Sequence, residues 1–216
     1  MFLPDEYEEN EAFFGGAGPD QTSQEGSMSL VERTKRILLQ PKQEWQVIDA
    51  ESTSVGALYG GYIVPLAAIG PIASLIGWSV FGLHLPFGGA IRVPISFMLR
   101  QSVVQYVLAL GGVFVLALII DALAPTFGGQ KNRLQALKVS AYSSSAAWVV
   151  GIVALVPALS FLGILGLYSL YLLYLGLPTL MKAPQEKATG YTVVVIICAI
   201  VLFFLIGAVA VRFREG

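Results

Sequence analysis

The residues of this chain that could do chemistry are few and lie far apart. The single histidine, His84, and the single cysteine, Cys198, have no acidic residue or second ligand beside them. The sequence contains neither the Gly-x-Ser-x-Gly turn of a serine nucleophile nor the glycine-lysine loop that binds phosphates. One histidine and one cysteine are also too few for a zinc site made from these residues. We therefore expect no catalytic residue, no metal and no cofactor, and the sequence is not typical of an enzyme.

Asp121 and Lys138 are charged residues at the edges of two long apolar segments. A carboxylate at the border of the hydrocarbon usually has a partner, and Lys138 is the nearest cation by topology. The pair is interpreted as a structural link between two helix ends or as a proton or cation site. The structural interpretation is favoured, because the apolar segments contain no second carboxylate to which Asp121 could pass a proton.

Hydroxyl groups form the second candidate cluster. A Tyr-Ser-Ser-Ser run begins one turn inside the third apolar segment, and tyrosines recur every three residues in the fourth. These segments should be antiparallel neighbours, so their hydroxyl groups could line a hydrophilic pocket or form interhelical hydrogen bonds, and the second is favoured. The predicted members are Tyr142, Ser143, Ser144, Tyr168 and Tyr171.

The composition determines which elements position these residues. Of the 216 residues, 56% are hydrophobic and only 12% are charged, which is about half the charged fraction of a soluble domain. This excludes a disordered chain, a nucleic-acid-binding domain and an ordinary soluble enzyme. Residues 1–27 differ from the rest, because they hold seven acidic residues and no lysine or arginine. They are predicted to be a disordered acidic tail.

Residues 28–50 are predicted to be a basic amphipathic segment that lies at the membrane surface. Ser29-x-x-Glu32 has the pattern of a helix capping box. The residues expected to contact an anionic leaflet are Arg33, Lys35, Arg36 and, as an interfacial anchor, Trp45. The alternative is a helix packed against another protein surface.

Residues 51–216 are predicted to form an all-α bundle of five transmembrane helices, at about 57–81, 101–121, 138–157, 161–181 and 189–211. Small residues spaced by four, Gly56 with Gly60 and Ser143 with Ala147 and Gly151, are interpreted as helix-packing positions. Nine lysines and arginines flank the spans on the side of the N-terminus and four on the other side. The positive-inside rule therefore predicts a cytoplasmic N-terminus and an external C-terminus.

Several longer runs of the sequence have a recognisable pattern. They are Leu39-x-Pro41-x-x-x-Trp45-x-x-Ile48, Gly128-Gly129, the run from Leu137 to Ser144, the run from Leu167 to Pro178, and Met181-Lys182-x-Pro184-x-x-Lys187-Ala188-x-Gly190-Tyr191-Thr192. With these runs, residues 29–211 resemble the Yip-one integral membrane family, in particular its bacterial branch. One departure is at position 146. The family pattern has a proline there, and with it a kink in the third helix, whereas this chain has Ala146.

The resemblance implies five membrane helices and a cytoplasmic N-terminus. In eukaryotes the family is associated with prenylated Rab-type GTPases, vesicle traffic and membrane shape, and no reaction follows from it. We therefore expect a non-enzymatic protein of the bacterial inner membrane that organises partners or lipid. The alternative is a small ion or solute transporter or channel that uses the hydroxyl cluster. The expected partners are an anionic lipid leaflet and either other proteins or further copies of the chain, but not nucleic acid.

Overall fold

The computed structural model of the chain describes residues 28–84, 90–91 and 94–215. The predicted acidic tail, residues 1–27, lies outside this part. Within it the regular elements are helices, apart from one short antiparallel ladder in which β1 (Leu83–His84) pairs with β2 (Ala90–Ile91). The prediction of an all-α fold is confirmed.

Two short helices at the N-terminal side form a hairpin. Helix α1 is Leu30–Leu39 and helix α2 is Pro41–Ala50. The Ser29 hydroxyl accepts a hydrogen bond from the Glu32 N–H at 3.2 Å, which satisfies one of the free donors at the start of α1. Pro41 begins α2, where its fixed backbone angle suits the first helical position. The name hairpin is used below for residues 30–50.

Five helical segments in the described part of the chain are long and apolar enough to cross a membrane, as predicted. Span 1 is Val55–Phe81, span 2 is Ile95–Phe127, span 3 is Arg133–Leu155, span 4 is Pro157–Met181 and span 5 is Gln185–Leu202.

Most spans combine more than one helix type. Span 1 contains α3 (Val55–Leu58), a π-helical turn (Tyr59–Ile63), α4 (Val64–Ala67) and α5 (Ile69–Phe81). Span 2 contains α6 (Ile95–Leu123) and a 3₁₀ turn (Ala124–Phe127). Span 3 contains α7 (Arg133–Ser143), α8 (Ser145–Val150) and a 3₁₀ helix (Gly151–Leu155). Span 4 contains a 3₁₀ helix (Pro157–Leu167) and α9 (Tyr168–Met181), and span 5 lies within α10 (Gln185–Glu215).

Several helix boundaries differ from the ends of the predicted apolar segments. Helix α6 begins at Ile95 rather than near residue 101, because Arg100 ends the apolar segment without ending the helix. Arginine is a good helix former, so its charge limits burial in lipid but not helicity. Spans 3 and 4 separate at Val156, whose backbone is extended (φ −122°, ψ 99°), and Pro157 then begins span 4.

The buried core lies at the end of the bundle against which the hairpin packs. We call this the hairpin end; it comprises the hairpin, α7, α9 and the connections between spans 2 and 3 and between spans 4 and 5. Its hairpin residues Ile37, Trp45 and Ile48 are at most 1% exposed. The far end comprises α5 and the two 3₁₀ helices, Gly151–Leu155 and Pro157–Leu167. No side chain of these two 3₁₀ helices is buried.

The predicted small-residue contacts occur in only one of the two places. A Cβ atom added to Gly151 would lie 2.9 Å from the Cα atom of Gly70, so spans 1 and 3 approach closely there. A Cβ atom on Gly56 or Gly60 would meet no atom within 4 Å. Gly60 lies in the π-helical turn, and this pair is not a packing contact in the described part of the chain.

Candidate functional site at the hairpin end

Arg33 forms a buried ion-pair centre. Its guanidinium lies 2.6 Å from Glu44 Oε1 and 2.5 Å from Glu51 Oε2, and it sits 5.9 Å from the ring centroid of Tyr142. The expectation that Arg33 contacts the membrane surface was therefore wrong. Two carboxylates and an aromatic face compensate the guanidinium for the loss of water, so it is stable inside the fold.

Trp45 also lies inside the fold rather than at the membrane interface. Its ring packs against the backbone of Gly176 in α9, where a Cβ atom would lie 2.7 Å from the indole, and it meets the edge of Tyr142 at 6.3 Å. The expected interfacial anchor is thus a core residue. The reason is that Gly176 leaves a flat recess in which a large apolar ring can be buried.

Lys138 caps the end of α2 instead of pairing with Asp121. Its ammonium group donates to the carbonyl oxygens of Ile48 at 2.8 Å and Glu51 at 2.6 Å. The last carbonyls of a helix have no partner within the helix and carry the negative end of its dipole, so a lysine is favoured there. Lys138 therefore links span 3 to the hairpin.

Asp121 lies on α6 with no ion pair to any other described residue. It is 8% exposed, and its Oδ1 atom has no hydrogen-bond partner in the part of the chain that the structure describes. The hydroxyl of the neighbouring Tyr191 does not donate to it, but to the Ile120 carbonyl at 2.6 Å. The Tyr191 ring also stacks on Phe127 with 5.1 Å between centroids. The predicted link between Asp121 and Lys138 does not form.

The serine run is satisfied by backbone carbonyls. The hydroxyl of Ser143 donates to Val139 O at 2.6 Å, and that of Ser144 donates to Ser140 O at 2.8 Å. Serines inside helices commonly bond back to the preceding turn in this way. These hydroxyl groups therefore do not line a pocket between spans 3 and 4.

The predicted tyrosines are separated by the structure. Tyr142 is buried against Tyr62, with 4.5 Å between ring centroids, while the Tyr168 hydroxyl donates to the Leu38 carbonyl at 3.0 Å. Tyr171 is 42% exposed and stacks only partly on Tyr168, at 5.4 Å. The five predicted members of the cluster thus belong to separate contacts, and none of the hydroxyl bonds joins the serine run to Tyr168 or Tyr171.

Acidic residues of the hairpin are the part of the site that the sequence analysis missed. Asp49 forms an ion pair with Lys182 at the end of span 4, and its carbonyl accepts from Gln135 Nε2 at 3.1 Å. Residues 30–51 thus contain three carboxylates with cationic partners: Glu44 and Glu51 bind Arg33, and Asp49 binds Lys182. The sequence signal that could have revealed these ion pairs was the presence of acidic residues within and just after a segment interpreted as basic.

Gly128-Gly129 closes the same end of the bundle. Gly128 has a left-handed backbone (φ 76°), and a Cβ atom on Gly129 would lie 2.8 Å from the Met181 carbonyl. The next residue, Gln130, donates its N–H to that carbonyl at 2.8 Å. The glycines allow the connection between spans 2 and 3 to lie against the end of span 4.

The fold and the site define a class: a polytopic α-helical membrane protein whose N-terminal hairpin contains a buried ion pair and is linked to span 3 by Lys138 and to the end of span 4 by Lys182. The family model for the Yip1 domain matches residues 35–206. The chain therefore belongs to the Yip1 domain family, which confirms the resemblance in the sequence. Neither a curated protein nor a solved structure matches the chain.

Proposed function

We propose that this chain is a non-enzymatic membrane-organising protein that uses its hairpin end to contact other proteins. The observation that carries the proposal is the ion-pair centre in which buried Arg33 binds buried Glu44 and exposed Glu51. It joins both helices of the hairpin, and Lys138 joins the hairpin to span 3. The exposed face of the hairpin is thereby held in one orientation, as a recognition surface requires.

The distribution of polar groups supports a contact role over chemistry. The serines of the run in span 3 donate to carbonyls, and three of the four buried charged residues that the structure describes are used in the same structural way: Arg33 and Glu44 pair with each other, and Lys138 caps a helix end. Groups used in this way stabilise the position of the hairpin. The exposed polar residues of the hairpin, such as Lys42 and Gln46, are the ones available to a partner.

A site-specific photo-crosslinker tests this role. The unnatural residue replaces exposed Gln46 on α2 or, as a matched control, exposed Leu159 at the far end, and native membranes are irradiated. We expect position 46 to give discrete, reproducible protein adducts, including adducts to a second copy, and position 159 to give none. No protein adduct at position 46, or the same adducts at both positions, would overturn the proposal.

We propose further that the hairpin end faces the cytoplasm of a bacterial cell. The support is the excess of nine lysines and arginines over four on that side. In a Cys198→Ala background, Lys131→Cys should react with a membrane-impermeant maleimide only after permeabilisation, whereas Pro94→Cys, at the exposed residue just before span 2, should react in intact cells. The reverse labelling pattern would show the opposite orientation.

A small ion or solute transporter remains the second candidate, and Asp121 is the observation that favours it. A buried carboxylate oxygen without a hydrogen-bond partner is unusual and costly inside a membrane protein. Reconstituted liposomes test this candidate by comparing flux through the unmodified chain and Asp121→Asn. Flux that is absent, or equal in the two, would exclude a role of Asp121 in transport.

A further inference from the structure

An apolar groove lies between α1 and the membrane spans. It has a volume of about 430 Å³ and is bounded by α1, by Leu66 of span 1 and by Val149 of span 3. Its α1 lining is apolar except for Thr34 and Lys35. Lys35 is the charged residue of the lining; it is exposed and has no ion pair to any described residue. The groove is within the size range of small-molecule sites in proteins.

The length of span 4 places this groove at the boundary of the hydrocarbon. The 11 residues of Pro157–Leu167 and the next turn to Tyr171 together rise roughly 28 Å, close to the ~30 Å of a bilayer core. Tyr171 and Tyr174 are exposed, as is typical of the aromatic belt at a membrane interface. Since the Tyr168 hydroxyl bonds to Leu38 of α1, helix α1 lies at this level.

The exposed side chains of α1 agree with this position. Val31 is 74% exposed and Leu39 is 69% exposed, and both also line the groove. Such apolar surface is unfavourable in water and favourable against acyl chains. Lys35 lies between them on the same helix and is also exposed.

We propose that this groove binds one acyl chain of an anionic phospholipid and that Lys35 binds its phosphate. The complementarity of an apolar groove and an unpaired cation at its edge selects this ligand. A lysine at the membrane surface is attracted by the net negative charge of anionic phospholipids, so the charge contributes affinity as well as orientation. The inference rests on the hairpin end being a contact surface, as proposed above, and names lipid as a second ligand there.

Native mass spectrometry of the full-length chain tests the site, with phosphatidylglycerol and phosphatidylcholine as probes. We expect one tightly bound phosphatidylglycerol per chain and weaker phosphatidylcholine. Lys35→Gln should lower the affinity for phosphatidylglycerol about fivefold. Lys42→Gln, which removes an exposed lysine of the same hairpin outside the groove, should leave it unchanged.

A second variant tests the groove itself. Val149→Phe adds a ring to the groove wall. It should abolish the tight binding of phosphatidylglycerol and the weaker binding of phosphatidylcholine. Equal affinity of Lys35→Gln and Lys42→Gln for phosphatidylglycerol would overturn the proposal even if Val149→Phe does not fold. Crosslinking at position 46 is a separate measurement, so loss of lipid with retained protein adducts contradicts only the lipid site. Loss of adducts with retained lipid contradicts only the protein-contact role.

Discussion

The two ends of this bundle are built from different interactions. At the hairpin end of span 3, eight consecutive residues from Ala136 to Ser143 are buried, and at its far end no residue of Gly151–Leu155 is. Span 4 repeats the contrast, since α9 buries six residues and Pro157–Leu167 buries none. The fully buried side chains of these two spans therefore lie toward the hairpin end, where the hairpin adds a further layer.

The contrast teaches where polar groups can be kept in a membrane protein. A charge facing lipid is costly, whereas a charge enclosed by partners can be retained. The hairpin supplies those partners to Arg33 and Lys138. At the far end the contact is between backbones: a Cβ atom on Gly77 would lie 2.2 Å from the Ala154 carbonyl oxygen. One end is held by buried polar contacts, and the other by close helix approach.

The largest effect is expected from breaking the ion-pair centre. Arg33→Ala leaves Glu44 buried without its partner and should lower the free energy of unfolding by about 3–5 kcal/mol. Arg36→Ala is the matched control, because its exposed pair with Glu32 should contribute only about 0.3–0.5 kcal/mol. Denaturant titration in mixed micelles measures both. Equal losses in the two variants would show that burial of the Arg33 pair has no special importance.

A smaller effect is expected at the far end, from the close approach of spans 1 and 3. Gly77→Ala places a methyl group against backbone that cannot rotate away, and should destabilise the protein by about 1–3 kcal/mol. Gly61→Ala lies in the same span with no atom within 4 Å of its added methyl group, and should be close to neutral. The same titration compares them. If Gly77→Ala unfolds like Gly61→Ala, the far end is not held by close helix approach.

The sequence predicts the spans well and the hairpin contacts poorly, for a physical reason. Long apolar segments limited by charges are a local property of the chain, so five spans follow from hydropathy. Whether Arg33 or Lys35 becomes buried depends on Glu44 and Glu51, which are 11 and 18 residues away from Arg33. Both cations have similar neighbours in the sequence. The turn between α1 and α2 brings Arg33, but not Lys35, close to Glu44 and Glu51.

The 3₁₀ form of residues 151–167 has no comparable signal in the sequence. Glycine, leucine and isoleucine in that region are also compatible with an α-helix, and Pro157 accounts only for the break. Asp121 shows a related limit. Its position at the end of an apolar segment was evident, but its pairing with Lys138 was inferred only from the expected topology of the spans. In the fold, the free carbonyls at the end of α2 take Lys138 instead.

The smallest effect tests how the end of α1 is attached to span 4. Tyr168→Phe removes the hydroxyl that donates to the Leu38 carbonyl and should cost about 0.5–1.5 kcal/mol. Tyr171→Phe is the matched control, because this exposed tyrosine keeps its ring contact with Tyr168 without its hydroxyl. Thermal unfolding in detergent should therefore show a lower Tm for Tyr168→Phe alone. A lower Tm for Tyr171→Phe would instead indicate a bonded phenol at that position. The absence of any difference would show that α1 is held by the buried ion pairs and core contacts of the hairpin, without a contribution from this bond at its end.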